Sequence, residues 1–418
     1  MYFCKRRFTK IHILFTLLNE MPHLRKRYTA EQVKALLTFS PLVGILGHRQ
    51  VGKTTLASQL IESYFSLDLR TTYESIAADP LGFLNSLKKQ PSVLDECQTL
   101  PELFPALKEY VRTNQRPGSF LLTGSVRFTS RKAIRESLTG RIIYSELLPM
   151  DMAEIHGIPL SNSLSLVAKD IKNILKFKRS RTFKKNFLSD YLSKGGLPGI
   201  FSIRDESVRI QKLATQLETI LDRDLRLIMA STLTFPTLKN VLAFIAQHQG
   251  ENLNLSLLQR STRVSRPTLQ KLLLAFEALF LIRPIRCEGD LGSRVYFLED
   301  QAEASYLVGS RTDPSHDLLR FLYANLRLQL IYRPALKGTL FRYETRGGAL
   351  VPLAFRFEGG EIGIIPILEQ NPNRGAISSA NSFLKKYNHS KVIFVNSGGE
   401  PQVLSPRLCV IPAGYLIS

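Results

Sequence analysis

Gly47-His48-Arg49-Gln50-Val51-Gly52-Lys53-Thr54 fits the pattern GxxxxGK(S/T), and its flanks decide the fold. Upstream, Leu42 to Leu46 is a short apolar run of the kind that buried parallel strands show. Downstream, Thr55 to Tyr64 reads as a helix with Leu56, Leu60 and Ile61 on one face. Strand, glycine loop and helix in that order predict an α/β core with a phosphate-binding loop. Glycines at 47 and 52 let the backbone curl so that successive N–H groups converge on the β- and γ-phosphates, helped by the positive end of the helix. Residues 47–54 and Thr55 are therefore expected to hold ATP, with Lys53 reaching phosphate oxygens and the Thr54 hydroxyl on Mg²⁺.

Hydrolysis also needs a metal-supporting carboxylate and a base, and Val93-Leu94-Asp95-Glu96 ends a short apolar strand with two adjacent acids. Asp95 is expected to support Mg²⁺ and Glu96 to orient the attacking water. A third buried strand, Phe120-Leu121-Leu122, ends in Thr123-Gly124-Ser125, so Thr123 and Ser125 arrive at the carboxyl edge where open α/β sheets bind ligands. Either hydroxyl is a candidate γ-phosphate sensor.

Taken together, GHRQVGKTTL, VLDECQTLPELFPALKEYV, RPGSFLLTGS and ESLTGR resemble the AAA+-type P-loop ATPases that carry a C-terminal restriction-endonuclease-like domain of unknown function. The resemblance spans most of the chain and is most specific in its first half. It implies that Arg141, in Ser-Leu-Thr-Gly-Arg, serves as an arginine finger or phosphate-sensing arginine, since a planar cation stabilises charge on the transferring phosphoryl group. Arg223, Asp224 and Arg226 of LETILDRDLR also resemble a family motif, without a role that the residues themselves disclose.

With 418 residues, 44% hydrophobic and 22% charged, the chain can bury a sizeable core in two or three domains. Its 56 Lys+Arg against 35 Asp+Glu give a formal net charge of +21, which favours a polyanionic partner. Four scattered cysteines, with no CxxC, HExxH or Cys/His cluster, speak against structural zinc and against a disulfide framework, and point to a reducing cytoplasm. Lys5, Arg6, Arg7 and Lys10 before Ile11 to Leu18 imitate a signal peptide, but the apolar stretch is too short to cross a bilayer and no small-residue cleavage site follows. Residues 1–29 are read as an N-terminal extension, the first twenty of them alternatively as a start placed too early.

Pattern changes divide the rest. Residues 30–155 alternate strands and helices as the ATPase core, and 156–230 read as a helical lid. Within the lid lies the most basic run: Lys169, Lys172, Lys176, Lys178, Arg179, Arg181, Lys184 and Lys185 against Asp170 alone. Phe177, Phe183 and Phe187 interleave with these charges, to anchor the segment or to stack bases, anchoring being favoured. Residues 231–300 read as a winged helix-turn-helix: a helix over Thr237–His248, a second over Leu255–Arg260, and a third starting near Arg266 with Ser265 as N-cap. Leu269, Leu272, Leu273, Phe276 and Leu279 form its buried stripe, and Arg294 to Leu298 the wing. In a DNA-binding version Arg266, Thr268 and Lys271 face the groove, and Arg260 and Arg263 the phosphates. A connector that binds no DNA is the equally weighted alternative.

Residues 301–418 match the family's endonuclease-like domain, with strands at Leu340–Tyr343, Val351–Phe357, Ile362–Leu368 and Lys391–Val395. Active members use PD-(D/E)xK, whose three positions fall here on Pro352, Leu368 and Gln370. Glu369 is one residue out of step, which on an alternating strand faces it away. Neither Glu358 nor Glu361 is expected to replace the lost acids, so nuclease activity is not expected. Pro352, lacking an N–H, predicts an edge strand or a strand end. The whole reads as a cytoplasmic Mg²⁺-dependent ATPase with no membrane span. DNA, a second copy of the chain and a protein partner are its candidate partners. A nucleotide-switched DNA-binding protein with slow hydrolysis and an interaction module of a defence or toxin system are the alternatives.

Overall fold

The computed structural model describes residues 24–88, 90–127, 140–289, 294–309, 313–358 and 360–418. Five parallel strands form the first sheet: β1 (Leu42–Leu46), β2 (Ser63–Ser66), β3 (Ser92–Asp95), β4 (Phe120–Gly124) and β5 (Ile142–Glu146), in the order β2-β3-β4-β1-β5. β1, β3 and β4 are buried throughout, as continuous apolar runs between two helical layers must be. The helix after the phosphate loop spans Lys53–Leu60, shorter than expected. Ile61 is already extended, and Tyr64 sits in β2 rather than on the helix. Two β-prone aromatics, Tyr64 and Phe65, pair with Val93 and Leu94 there, and that pairing outweighs the helical spacing.

Eight strands form the second sheet: β6 (Ile282–Gly289), β7 (Arg294–Leu298), β8 (Thr339–Glu344), β9 (Leu350–Phe357), β10 (Gly360–Pro366), β11 (Lys391–Asn396), β12 (Gln402–Ser405) and β13 (Leu408–Pro412). Their order is β12-β13-β11-β10-β9-β8-β6-β7. β9 is therefore an interior strand, which corrects the edge position that Pro352 suggests. The reason is a bulge: Phe341 faces Ala354 and Tyr343 faces Val351, so Pro352 and Leu353 together oppose Arg342, and the ladder does not need the missing N–H. β10 ends at Pro366 rather than at Leu368. Leu368, Glu369 and Gln370 lie in exposed bends beyond it, so strand alternation does not govern where Glu369 faces.

Helices Phe235–Gln247, Leu255–Thr262 and Arg266–Ala278 precede β6 and β7. Ser265 caps the third through the Thr268 N–H at 3.4 Å, and Leu269, Leu272, Leu273, Phe276 and Leu279 are buried. β6 and β7 form an antiparallel hairpin, and the far half of β6 also pairs in parallel with β8. The hairpin has two masters: Tyr296 and Leu298 pack into the three-helix core, whereas Val295 and Phe297 pack into the core of the large sheet.

The segment expected as a lid divides between partners. Leu164, Ile174, Phe183, Phe187 and Tyr191 pack on the large sheet with Leu353, Phe355 and Ile393. Farther on, Leu213 joins the ATPase core, while Leu217, Ile220, Leu221 and Leu225 join the three-helix core. Phe183 and Phe187 stack 5.5 Å apart inside the protein, so the aromatics of the basic run anchor it.

Candidate functional site

Gly52 leaves the loop with φ 100°, a left-handed conformation that glycine adopts without strain, and caps the helix that begins at Lys53. At Gly47 a Cβ would collide with the Leu147 carbonyl, so the loop cannot lie against the strand end with a larger residue there. Lys53 is buried, and its ammonium donates to the carbonyls of Gly47 at 3.1 Å and His48 at 2.9 Å. Burial lowers its pKa, opposed by the charges of Glu96 and Asp95.

Opposite the loop, the Thr54 hydroxyl donates to both Asp95 oxygens, at 3.0 and 3.2 Å. The Tyr64 hydroxyl donates to Asp95 at 2.5 Å, and the Thr123 hydroxyl donates to its other oxygen. Glu96 sits at φ 55°, a left-handed conformation unusual for a non-glycine residue. Its N–H donates to Thr123 Oγ1 at 3.1 Å, and its carboxylate accepts from Ser125 at 3.2 Å and from the Gln98 amide. Burial opposes ionisation of Glu96, but the Lys53 ammonium, the Gln98 amide, Arg49 and Ser125 outweigh it and hold the carboxyl below its ordinary value. Glu96 is thus charged at neutral pH. Thr123 and Ser125 do reach the site, but both hydroxyls are engaged by the two carboxylates that they orient. The hard oxygens of Thr54 and Asp95 fit Mg²⁺, which keeps several waters and needs few protein ligands.

Arg141 directly precedes β5, whose Ile142 pairs with Leu42 at the start of β1, whereas the loop leaves the other end of β1. One strand length, about 15 Å, separates them. Parallel pairing thus puts Arg141 at the opposite end of the sheet from its own loop. The cation that the fold brings near instead is Arg223. The helix holding it widens to i→i+5 spacing over Thr219–Asp224, a local irregularity that recurs at functional sites. Buried Asp224 accepts from Arg49 of the loop at 3.0 Å and from Arg223 at 3.0 Å, and Arg223 feels the charges of Asp68 and Glu96. Arg226 pairs with Asp222 on the surface. His48 of the loop likewise meets Glu303 at 3.1 Å, both fully buried.

The loop is braced from behind by Arg27, which donates to the Val51 carbonyl at 2.7 Å and to Leu148 at 2.5 Å and pairs with Glu154 at 3.1 Å. Beside this pair Asp151 is buried, and burial together with the Glu154 charge pushes its carboxyl from 3.8 up to about 8. A carboxyl raised in the folded state contributes stability fully below its unfolded value near 3.8 and loses it as pH rises through 8. Denaturant melts at pH 5 and pH 8.5 are expected to show the loss in the wild type and a flatter profile in Asp151→Asn, which keeps the acceptor for the Glu154 N–H. Parallel profiles would mean that Asp151 ionises without cost.

Glu303, Arg27, Gln98 and Tyr64 are site residues that the sequence reading does not single out, and Asp224 enters that reading only through the family resemblance, without a role. Of the first four, only Gln98 and Tyr64 lie near a motif in the chain. The exposed Arg260, Arg266 and Lys271 lie on the second and third of the three helices and Arg263 in the turn between them, where Arg260 and Arg263 line an open depression with Gln259 and Ser265.

A family model described as an AAA domain matches residues 40–156, and one described as a domain of unknown function (DUF8612) matches residues 185–289. Residues 40–156 are thus similar to AAA domains, and the glycine loop and the Asp95–Glu96 pair both lie inside the matched stretch. An uncharacterised protein of Mycobacterium tuberculosis is 25% identical over 265 residues, 63% of this chain and 53% of that protein. One of Methanocaldococcus jannaschii is 26% identical over 257 residues, 57% of this chain and 55% of that protein. The chain spans about half the length of these curated relatives. Among solved structures, a Walker-type ATPase of Pyrococcus abyssi covers 69% of this chain and 99% of its own, at 16% identity and a TM-score of 0.43. The Aeropyrum pernix Orc1 protein, solved in complex with DNA, covers 68% and 92%, at 13% identity and a TM-score of 0.29. No helix among the described residues is long and apolar enough to cross a membrane.

Proposed function

We propose that the chain is a Mg²⁺-dependent ATPase whose nucleotide state is relayed to the three-helix module and the large sheet. The observation that carries this is the approach of the Thr54 hydroxyl to Asp95 at 3.0 Å with charged Glu96 beside it and Lys53 in the loop. Thr54 and Asp95 would hold the cation, which when bound draws charge from the phosphoryl oxygens. Lys53 exchanges the Gly47 and His48 carbonyls for phosphate oxygens. Glu96 accepts a proton from the attacking water, steadied by Ser125 and Gln98. Arg223 meets the γ-phosphate from the same chain, and Arg141 serves only a second copy.

Two routes support the relay. Asp224 ties loop Arg49 to a helix whose Leu221 and Leu225 lie in the three-helix core. From Ser125 the chain runs directly to Arg127, whose N–H donates to the Ala278 carbonyl at 2.8 Å, at the end of the third helix. The test is phosphate release by the purified protein with and without Mg²⁺, duplex DNA and single-stranded DNA. Turnover unaffected by chelating the metal would overturn the assignment.

A winged helix that binds DNA is the second reading, favoured by the exposed Arg260, Arg263, Arg266 and Lys271. Changing Arg263 and Arg266 together to Ala is expected to weaken duplex binding and to lower its log–log salt slope by about two units if both meet phosphates, at roughly 0.9 each. An unchanged slope would favour the connector reading.

A further inference from the structure

Seven of the chain's 21 net positive charges lie in the seventeen residues from Lys169 to Lys185, away from the nucleotide site. All eight cations of this strap are exposed, and among the described residues none is paired with a carboxylate. Its one acid, Asp170, is spent on capping the turn at Lys172 N–H, 3.0 Å away, and acts on Lys391 from the neighbouring strand. Like charges this close in the chain repel one another, and with no acid left to offset them the surface favours an anion.

The strap is also held rigid. Phe183 and Phe187 are buried in the core of the large sheet, and the Lys391 ammonium holds the Ala168 carbonyl at 2.6 Å. Arg179 spans the turn to the carbonyls of Phe183 and Lys184, and the Ser180 N–H donates to the Ser418 hydroxyl at 3.0 Å. A cationic surface fixed in this way loses little entropy when it meets a polyanion, unlike a disordered basic tail.

We propose that the Lys169–Lys185 strap is a second docking surface for nucleic acid, one that neutralises phosphates of duplex DNA without reading sequence. Because the phenylalanines face the core, the strap offers no platform for stacking bases, which separates it from surfaces that prefer single strands. An anionic membrane would meet the same cations, but the strap gives it only Leu175 to insert. The surface stands independently of the winged-helix reading.

Lys172, Lys178, Lys184 and Lys185 changed together to Gln test it, with binding of a random-sequence duplex followed by anisotropy across a salt series. The expected result is affinity at least tenfold weaker at 50 mM salt, a log–log slope smaller by about three to four units, and unaltered ATP turnover without DNA. The same four positions changed to Arg are expected to keep binding, which guards against a mere loss of folding. Wild-type affinity and slope in the Gln variant overturn the proposal. So does preferential capture by vesicles containing phosphatidylserine with duplex binding intact. If Arg263→Ala with Arg266→Ala leaves binding unchanged while the Gln variant weakens it, the winged-helix reading falls and the strap remains.

Discussion

Glu96→Gln is expected to bind ATP and leave it uncleaved, with turnover lower by about 10²- to 10⁴-fold, the usual contribution of a positioned base. The amide keeps the length of the side chain and can still accept from Ser125, while the Thr54–Asp95 pair is untouched. What disappears is the negative charge that Lys53, Gln98, Arg49 and Ser125 now hold ionised against burial. Filter binding of labelled ATP beside phosphate release separates the two effects. Hydrolysis at the wild-type rate would move the base to another residue, with Asp68, a carboxyl that feels the charge of Glu96, the first to test.

Lys53→Ala is expected to fail one step earlier, at binding. Hydrogen bonds to charged groups contribute about 1.5–3 kcal/mol each, so losing two from Lys53 to phosphate oxygens weakens affinity on the order of a hundredfold or more. Arg49 does not substitute, because Asp224 holds its guanidinium at 3.0 Å. The substitution also strips the loop carbonyls of Gly47 and His48 of their donor. The readout is therefore the shift in melting temperature on adding ATP, compared with each protein's own baseline. A wild-type shift together with wild-type turnover in Lys53→Ala would end the nucleotide-site assignment.

The parts of this site that the sequence discloses are those written as contiguous words. A glycine loop between a strand and a helix, and two acids closing an apolar run, carry their geometry locally, and Lys53, Thr54, Asp95 and Glu96 meet as that geometry requires. Residues that arrive from far along the chain have no such signature. Asp224 lies 175 residues from Arg49, and Glu303 reaches His48 from a helix beyond the hairpin. Nothing in the immediate neighbours of Glu303 distinguishes it from a surface acid, and the motif around Asp224 discloses no role. Thr123 and Ser125 were legible as arrivals at the sheet edge, but which group their hydroxyls serve depends on the turn at Glu96, and the sequence does not show that turn. Pro352 misleads for a related reason, since the rule that excludes proline from interior strands yields to a bulge, and the bulge appears only in the pairing of β9 with β8.

The doubly committed hairpin of β6 and β7 bears on how this protein can be cut or shuffled. A fragment that stops after β7 would keep the three helices but strip β8 from the far half of β6, leaving its open N–H and C=O groups to template aggregation. A fragment that begins after β7 would uncover β8 in the same way and lose Val295 and Phe297 from its interior. Recombination that respects solubility must therefore carry the three helices and the eight strands as a single heritable block, and its seams lie upstream of Phe235.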